Sequence, residues 1–269
     1  MTRGKYVSYI SYQESREADL DSHGTMSAMP RIDGSVALIT GAGRGIGKAI
    51  AQTFAKAGAV VVATDVSIAD EADYRTMCCD VLRATDIAKA VDVCEELGGI
   101  DVLVNSAGII RRTDALEMSP QSWNEIIDVN VKGAFLSSQA AAKSMMRHGR
   151  GGSIVNIGSV NAEKVFGETV AYCTSKGALH AMTRAMSLSL APFNIRVNVL
   201  APGAIADTNL EPSRWQSERE RDVMISRTPQ RRLGQSQDIA PSALFLASPL
   251  SSFITGATLF VDGGRSASV

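Results

Sequence analysis

Short continuous runs of apolar residues alternate with amphipathic stretches from Gly34 onward. The runs are rich in Val and Ile and do not alternate with polar residues, which is typical of strands buried on both faces of a parallel sheet. They cover residues 35–40, 59–64, 100–105, 153–157 and 195–200. Each run is therefore predicted to be a buried strand.

The stretches between the runs carry apolar residues at helical spacing. After the first two runs these residues are Ile46, Ile50 and Phe54, then Ile87, Val91 and Cys94. Positions three and four apart lie on one face of a helix. Strands that alternate with helices predict an α/β fold with right-handed crossovers and a doubly wound parallel sheet. Ligands bind such a sheet beyond the carboxyl ends of its strands, so the residues there are the candidates for function.

Length and charge favour one large domain. The chain has 269 residues, 45% of them hydrophobic, and a formal net charge of −1.

The near-neutral charge balance and the scattered arginines argue against a nucleic-acid partner. The sequence contains neither an apolar run of about 18 residues for a membrane span nor the apolar stretch of a signal peptide. We therefore expect a cytoplasmic protein without a membrane partner.

Residues 1–30 differ from the rest of the chain. They are rich in Ser, Asp, Glu, Arg and Tyr and lack sustained apolar periodicity. They are interpreted as an N-terminal extension, with three alternatives open: a mobile tail, a segment that packs on a neighbouring subunit, or the product of an early start codon, because Met26 and Met29 end it. Residues 31–269 are predicted to form one domain.

The cysteines and histidines lack the spacing of a metal site. The residues concerned are Cys78, Cys79, Cys94, Cys173, His23, His148 and His180. We expect reduced, mostly buried thiols and no metal.

A glycine-rich segment follows the first predicted strand and opens the first predicted helix. Residues 40–47 read TGAGRGIG, with Gly41, Gly45 and Gly47 in the spacing T-G-x-x-x-G-x-G, so that Ile46 stands where the commoner pattern has its third glycine. Glycines let the backbone approach a pyrophosphate, and a helix N-terminus supplies amides and a positive dipole end. The segment predicts a dinucleotide site, the alternative being a merely tight turn.

Asp65 follows the second predicted strand, about twenty residues after the glycines. A carboxylate there can accept hydrogen bonds from an adenosine ribose, and it would repel a 2′-phosphate. NAD is therefore favoured over NADP. Arg44 in the glycine segment could pair with such a phosphate and weaken this preference.

Tyr172, Lys176 and Ser159 form a candidate proton-transfer group. Tyr172 and Lys176 are four residues apart, so on a helix both side chains point to one side. Free tyrosine has a pKa of about 10 and is a poor base at neutral pH, whereas a nearby ammonium favours the phenolate. Taken alone, the spacing would also suit an exposed tyrosine beside a solvated lysine.

These motifs, taken in order, resemble those of the short-chain dehydrogenase/reductase family, and the resemblance runs from about residue 31 to residue 264. The motifs are residues 40–47, Asp80-Val81, residues 105–108, Asn130, Ser159, Tyr172 with Lys176, and Pro202-Gly203. The resemblance implies a single Rossmann-type domain, a seven-stranded parallel sheet flanked by helices, and a homotetramer. Its interface would use the helix that holds Tyr172 and the segment 258–264.

The resemblance also implies a set of cofactor-binding residues. Asp80 and Val81 would hold the adenine ring, and the 105–108 turn would support the sheet beside the cofactor, with Ser106 in place of the usual asparagine. The full set comprises Gly41, Arg44, Gly45, Ile46, Gly47, Asp65, Asp80, Val81, Asn105, Ala107, Gly108, Tyr172, Lys176, Pro202, Gly203 and Ile205.

The catalytic roles that the resemblance implies agree with the chemistry of the side chains. Tyr172 would be the general base in oxidation and the general acid in reduction, and Lys176 would favour the phenolate and bind the nicotinamide ribose. Ser159 would hydrogen-bond the substrate oxygen. Asn130, in a predicted long helix, would hold a water that links Lys176 to solvent.

The substrate is predicted less directly. Residues 107–117 resemble the same region of gluconate 5-dehydrogenases and 2-dehydro-3-deoxygluconate 5-dehydrogenases. Arg111 and Arg112 are candidates to pair with a sugar-acid carboxylate, or are solvated loop residues or subunit contacts. Residues 204–232 resemble the family's mobile substrate lid, with Asp207 where a cofactor-contacting threonine is common and Thr208 one place late. Further candidates for the pocket lining are Asn161, Lys164, Phe166, Glu168 and Trp215.

Three functions follow from this reading. The first is an NAD-dependent dehydrogenase of a sugar acid, polyol or similar small secondary alcohol. The second is an NADPH-dependent 3-oxoacyl-[acyl-carrier-protein] reductase, against which Asp65 and the near-neutral charge count. The third is a non-catalytic, regulatory dinucleotide-binding protein, against which the complete set of catalytic residues counts.

Overall fold

Seven parallel strands form one sheet in the computed structural model, which describes residues 30–71, 73–208, 210 and 217–268. The strands are β1 (Val36–Thr40), β2 (Val60–Asp65), β3 (Arg75–Cys78), β4 (Val102–Asn105), β5 (Gly152–Ile157), β6 (Ile195–Pro202) and β7 (Thr258–Val261). Their order across the sheet is β3-β2-β1-β4-β5-β6-β7. This order reverses direction between β1 and β4, the position at which doubly wound sheets bind ligands.

Helices cover both faces of the sheet. In the described ranges they are α1 (Gly45–Lys56), α2 (Ala84–Glu96), α3 (Pro120–Ile127), α4 (Ala134–His148), α5 (Val170–Leu190), α6 (Glu218–Ser226) and α7 (Ser236–Ala247). Helices α1 and α7 belong to the core on one face, and α2 and α4 to the core on the other. The predicted single Rossmann-type α/β domain is therefore confirmed.

Strand β1 shows why the apolar runs are continuous. Ile39 packs with Ile50 and Phe54 in the core on one face, whereas its neighbour Leu38 packs with Leu103 in the core on the other. All five side chains are at most 2% exposed. Successive side chains of a strand point to opposite faces, so a strand covered on both sides needs an apolar residue at every position.

The five strands predicted from apolar runs are confirmed, with ends that differ by one or two residues. The apolar pattern missed β3 and β7, although the family resemblance implied seven strands. Both lie at the edges of the sheet. Strand β3 is partly or fully exposed along its length and β7 is only half-buried, so neither requires a continuous apolar sequence.

Several predictions concern features outside the sheet. The cysteines are free thiols, buried except for Cys78. In the described part of the chain, no three side chains of the metal-ligating types converge on one point, and no helix has both the length and the apolar character to cross a membrane. The predicted extension, except for Pro30, lies outside the described residues, and so does Trp215.

Candidate active site

A cavity of about 440 Å³ opens at the carboxyl edge of the sheet. Gly41 follows β1, Asp65 ends β2, and Ser159 and Gly203 follow β5 and β6, so the parallel strands bring distant segments together. The predicted site residues that line it are Gly41, Arg44, Ile46, Gly47, Asp65, Asp80, Val81, Ala107, Gly108, Ser159, Asn161, Phe166, Tyr172, Lys176, Pro202, Gly203 and Ile205.

The glycine segment at the start of α1 forms a cradle that side chains would fill. Gly41 has a φ of +67°, and a Cβ on it would collide with the backbone of Ala107. A Cβ on Gly47 would collide with the carbonyl of Gly41. In addition, Arg44 at the N-cap position makes no side-chain capping bond within the described residues. Close backbone and a helix N-terminus without a side-chain cap suit a pyrophosphate, so the segment fits a dinucleotide.

Two carboxylates lie at the end of the cavity near β2 and β3. Asp65 Oδ2 accepts a hydrogen bond from the amide of Gly43 at 3.0 Å, which holds the carboxylate beside the cradle. Asp80 Oδ1 accepts one from the amide of Leu82 at 2.9 Å. The region in which an adenosine would lie is therefore acidic.

Tyr172 and Lys176 lie in the first two turns of α5 and are buried, at 9% and 5% exposure. The Lys176 Nζ lies 5.6 Å from the centroid of the Tyr172 ring and donates a hydrogen bond to the Ile157 carbonyl at 2.8 Å. Burial lowers the pKa of Lys176 from 10.5 to about 8, because desolvation disfavours the charged form. Lys176 is therefore mostly charged at neutral pH, and its charge is close to the phenol.

Ser159 lies at the end of β5, on the same cavity. Its side chain is 7% exposed, and its Oγ accepts a hydrogen bond from the amide of Asn161 at 3.1 Å. This bond fixes the hydroxyl oxygen and leaves the hydroxyl proton to be donated to a substrate oxygen.

Asn130 lies behind the cavity and does not line it. The predicted long helix is interrupted here by a π-helical turn, Asp128–Gly133, between α3 and α4. Asn130 Oδ1 accepts from the amide of Ile109 at 2.8 Å, and its Nδ2 donates to the Ile109 carbonyl and to Ser175 Oγ, both at 2.9 Å. Asn130 thus ties the loop after β4 to the helix that carries Tyr172. Such turns often occur at functional sites.

Asn105 and Gly45, two predicted cofactor residues, also lie outside the cavity lining. The Nδ2 of Asn105 donates at 2.8 Å to Ser138 Oγ and at 2.8 Å to Asn156 Oδ1, which joins β4 to β5 and α4. Asn105 therefore supports the sheet beneath the site. Gly45 is the first residue of α1 and lies against the backbone of Thr208.

The structure does not bring Arg111 and Arg112 into the cavity. Arg111 Nη1 donates to the carbonyl of its neighbour Ile110 at 3.0 Å, and Arg112 Nη1 lies 3.3 Å from a carboxylate oxygen of Glu168. Both arginines are exposed. Neither side chain lines the cavity, which agrees with the alternative of loop residues.

Two neighbouring residues in the described part of the predicted lid have different roles. The Asp207 carboxylate accepts from the amide and the hydroxyl of Ser236, at 2.8 and 2.9 Å, and so supports the start of α7. Thr208 lines the cavity. Asp207, at the usual threonine position, therefore holds the start of α7 by hydrogen bonds, and Thr208, the next residue, lines the cavity instead.

Sequence reasoning missed Arg265 and Met224, which also line the cavity. Arg265 follows β7 and is only 7% exposed; its Nη1 lies 3.1 Å from Met224 Sδ, and its guanidinium carbon lies 5.1 Å from the centroid of the Phe166 ring. No local pattern marks either residue, because α6 and the C-terminal segment meet the cavity only in the folded chain.

Comparisons with known proteins identify the family of the chain. Residues 41–266 match the family model described as enoyl-(acyl carrier protein) reductase. Galactitol 2-dehydrogenase (L-tagatose-forming) of Cereibacter sphaeroides is 40% identical over 245 residues, which cover 87% of this chain and 96% of that protein. The 2-dehydro-3-deoxy-D-gluconate 5-dehydrogenase of Escherichia coli is 35% identical over 243 residues, with coverages of 87% and 96%.

A solved structure is similar over the same range. The gluconate 5-dehydrogenase from Burkholderia cenocepacia, in complex with NADP and tartrate, has a TM-score of 0.83 at 37% identity, and the match covers 89% of this chain and 98% of that one. The similarity extends over almost the whole fold rather than over isolated motifs. As its motifs indicated, the protein belongs to the short-chain dehydrogenase/reductase family.

Proposed function

We propose that this protein is an NAD-dependent oxidoreductase that transfers a hydride between nicotinamide and a small secondary alcohol or ketone, a sugar acid or polyol. The observation that carries the proposal is the burial of Tyr172 beside Lys176 and Ser159 in a cavity that begins at the glycine cradle. Alcohol oxidation by a nicotinamide cofactor needs a proton acceptor, a charge that stabilises it, and a donor that orients the substrate oxygen. The phenol of Tyr172, the ammonium of Lys176 and the hydroxyl of Ser159 can supply these three.

A nicotinamide dinucleotide, when bound, supplies the hydride acceptor or donor. The cradle from Gly41 to Gly47 would hold its pyrophosphate, and Asp65 its adenosine ribose. In oxidation Tyr172 takes the proton of the substrate hydroxyl, and in reduction it returns that proton. Lys176 stabilises the phenolate by its charge, and Ser159 orients the substrate oxygen.

The substrate class is supported by the similar proteins. Their names specify galactitol, 2-dehydro-3-deoxy-D-gluconate and gluconate, which all carry several hydroxyl groups. The direct test follows NADH formation with aldonic acids, polyols and simple secondary alcohols. We expect turnover with at least one aldonic acid or polyol. Turnover confined to other alcohols, or none in the whole panel, would contradict the proposal.

A second candidate is NADPH-dependent reduction of the keto group of a 3-oxoacyl-[acyl-carrier-protein], which is favoured by the similarity to the 3-oxoacyl-[acyl-carrier-protein] reductase FabG of Thermotoga maritima, 39% identical over 248 residues. The same assay run in reverse, with acetoacetyl thioester and NADPH, separates the two functions. Preferred turnover of the thioester would replace the first proposal by the second.

We expect NAD to bind about tenfold more tightly than NADP, because Asp65 lies fixed beside the cradle where a 2′-phosphate would approach it. The structure of the relative from B. cenocepacia contains NADP and therefore does not support a preference for NAD. The expected preference rests on Asp65 alone.

Isothermal titration calorimetry gives both Kd values. In Asp65→Asn the ratio should fall to near one, whereas the matched variant Asp80→Asn should weaken both cofactors equally. A native preference for NADP would refute the assignment.

Self-association, as a homotetramer, is also part of the proposal. Helix α5 carries Leu188 at 80% exposure, and β7 is half-buried along its whole length. Exposed apolar surface on these elements suits a subunit interface.

A further inference from the structure

The two ends of the cavity differ in charge. Its charged lining residues, within the part of the chain that the structure describes, are Arg44, Asp65, Asp80, Lys176 and Arg265. Both carboxylates belong to the β2 and β3 side of the sheet, whereas Arg265 follows β7 at the opposite edge. The substrate end is therefore lined by cations, and the acidic groups lie at the adenosine end.

Arg265 is built into the wall of this substrate end. Its guanidinium lies against Phe166, which belongs to the loop between Ser159 and Tyr172, and against Met224 of α6. A buried guanidinium is costly unless the surroundings compensate for its charge, and an aromatic face supplies part of that compensation.

The segment that carries Arg265 is held in place. The Lys164 Nζ donates to the carbonyl of Ser268 at 2.8 Å, and Ser268 Oγ donates to the carbonyl of Arg265 at 2.9 Å. These bonds tie the C-terminal segment to the loop of Phe166. The position of the guanidinium is therefore fixed relative to the loop that also borders Tyr172.

From this placement we infer that Arg265 binds the carboxylate of an acidic substrate and thereby selects sugar acids over uncharged polyols. The inference rests on the proposed function, because it takes Tyr172 as the group at the reacting hydroxyl. A guanidinium presents two parallel N–H donors that match a carboxylate, a geometry that lysine lacks. The two carboxylates that line the cavity, Asp65 and Asp80, lie at its other end, away from Arg265.

Arg227 provides a matched control. Its guanidinium carbon also lies near the Phe166 ring, 5.8 Å from the centroid, but the residue is exposed and is not part of the cavity lining. It has the same chemistry and the same aromatic neighbour, and it differs in burial and access to the cavity.

The test measures binding of D-gluconate and of its uncharged counterpart sorbitol to the NAD-loaded protein by calorimetry. We expect Arg265→Gln to weaken gluconate binding about 100-fold and sorbitol binding less than threefold. Arg265→Lys should weaken gluconate binding about tenfold, and Arg227→Gln should change neither ligand more than twofold. Equal losses for both ligands, or unchanged gluconate affinity in Arg265→Gln, would overturn the inference.

Two further measurements keep the result interpretable. Thermal unfolding by circular dichroism shows whether Arg265→Gln folds; if it does not, Arg265→Lys decides the question, since it keeps a cation at the position. NADH formation by the native protein is recorded in parallel with both compounds. Turnover of sorbitol with no gluconate binding would leave the proposed function intact and refute the role of Arg265.

Discussion

Replacement of Tyr172 by phenylalanine is expected to lower kcat about 10³-fold and to leave the affinity for NAD within twofold. The substitution removes the phenolic proton carrier and keeps the ring that packs beside Lys176 at 9% exposure. Positioned general acid–base groups contribute on the order of 10² to 10⁴ in rate, so the loss falls on the chemical step. Steady-state kinetics with the substrate found in the screen, together with calorimetric NAD titration, measure the two effects separately.

Tyr74 offers the matched control for this variant. Its hydroxyl is buried without a hydrogen-bond partner in the described structure, and it lines a separate cavity beside β3. Tyr74→Phe removes the same atom far from the site and should leave kcat unchanged. If Tyr172→Phe retains more than about a few per cent of native kcat, the phenol is not the proton carrier.

Replacement of Lys176 by methionine is expected to reduce kcat about 10²-fold. At neutral pH the same replacement is expected to raise the free energy of unfolding. The pKa of Lys176 is about 8 in the folded protein and 10.5 as its ordinary value. The unfolded chain therefore binds more protons between these values, and the free energy of unfolding rises with pH across that window. Below pH 8 the buried charge costs about 3 kcal/mol, which methionine avoids.

Part of this gain is lost again. Methionine leaves the Ile157 carbonyl without the 2.8 Å hydrogen bond from Nζ, at a cost of about 1–3 kcal/mol. The net gain at pH 7 is then about 1 kcal/mol, or a rise in Tm of about 2–4 °C.

The pH dependence separates this mechanism from better packing. Thermal unfolding of the cofactor-free protein at pH 7 and pH 10 should show the advantage of Lys176→Met shrinking at the higher pH, since native Lys176 is then neutral when folded. Lys132→Met, at a side chain 54% exposed, should show no such change. An advantage of equal size at both pH values would contradict the assignment of the cost to a buried charge.

The apolar pattern predicted the interior of the sheet and failed at its edges for one physical reason. Strands such as β1 are covered on both faces, so each of their positions must be apolar and the run is visible in the sequence. Strand β3 has exposed residues at Arg75 and Cys78, and only its pairing with β2 identifies it. The prediction of one long helix around Asn130 was wrong for a different reason. A π-helical turn has the same kind of residues as an α-helix and differs only in its hydrogen-bond register, so the sequence does not reveal it.

Local spacing alone determined the groups whose geometry depends on adjacent residues. The glycine cradle and the Tyr172–Lys176 pair each lie within a short stretch of chain, so their spacing is visible in the sequence. Tertiary structure decided the rest. It buried Lys176, which lowers the pKa of that residue, and it placed Arg265, rather than Arg111 or Arg112, in the lining of the cavity. Burial and long-range convergence depend on how segments far apart in sequence pack, and no short pattern of residues encodes that packing.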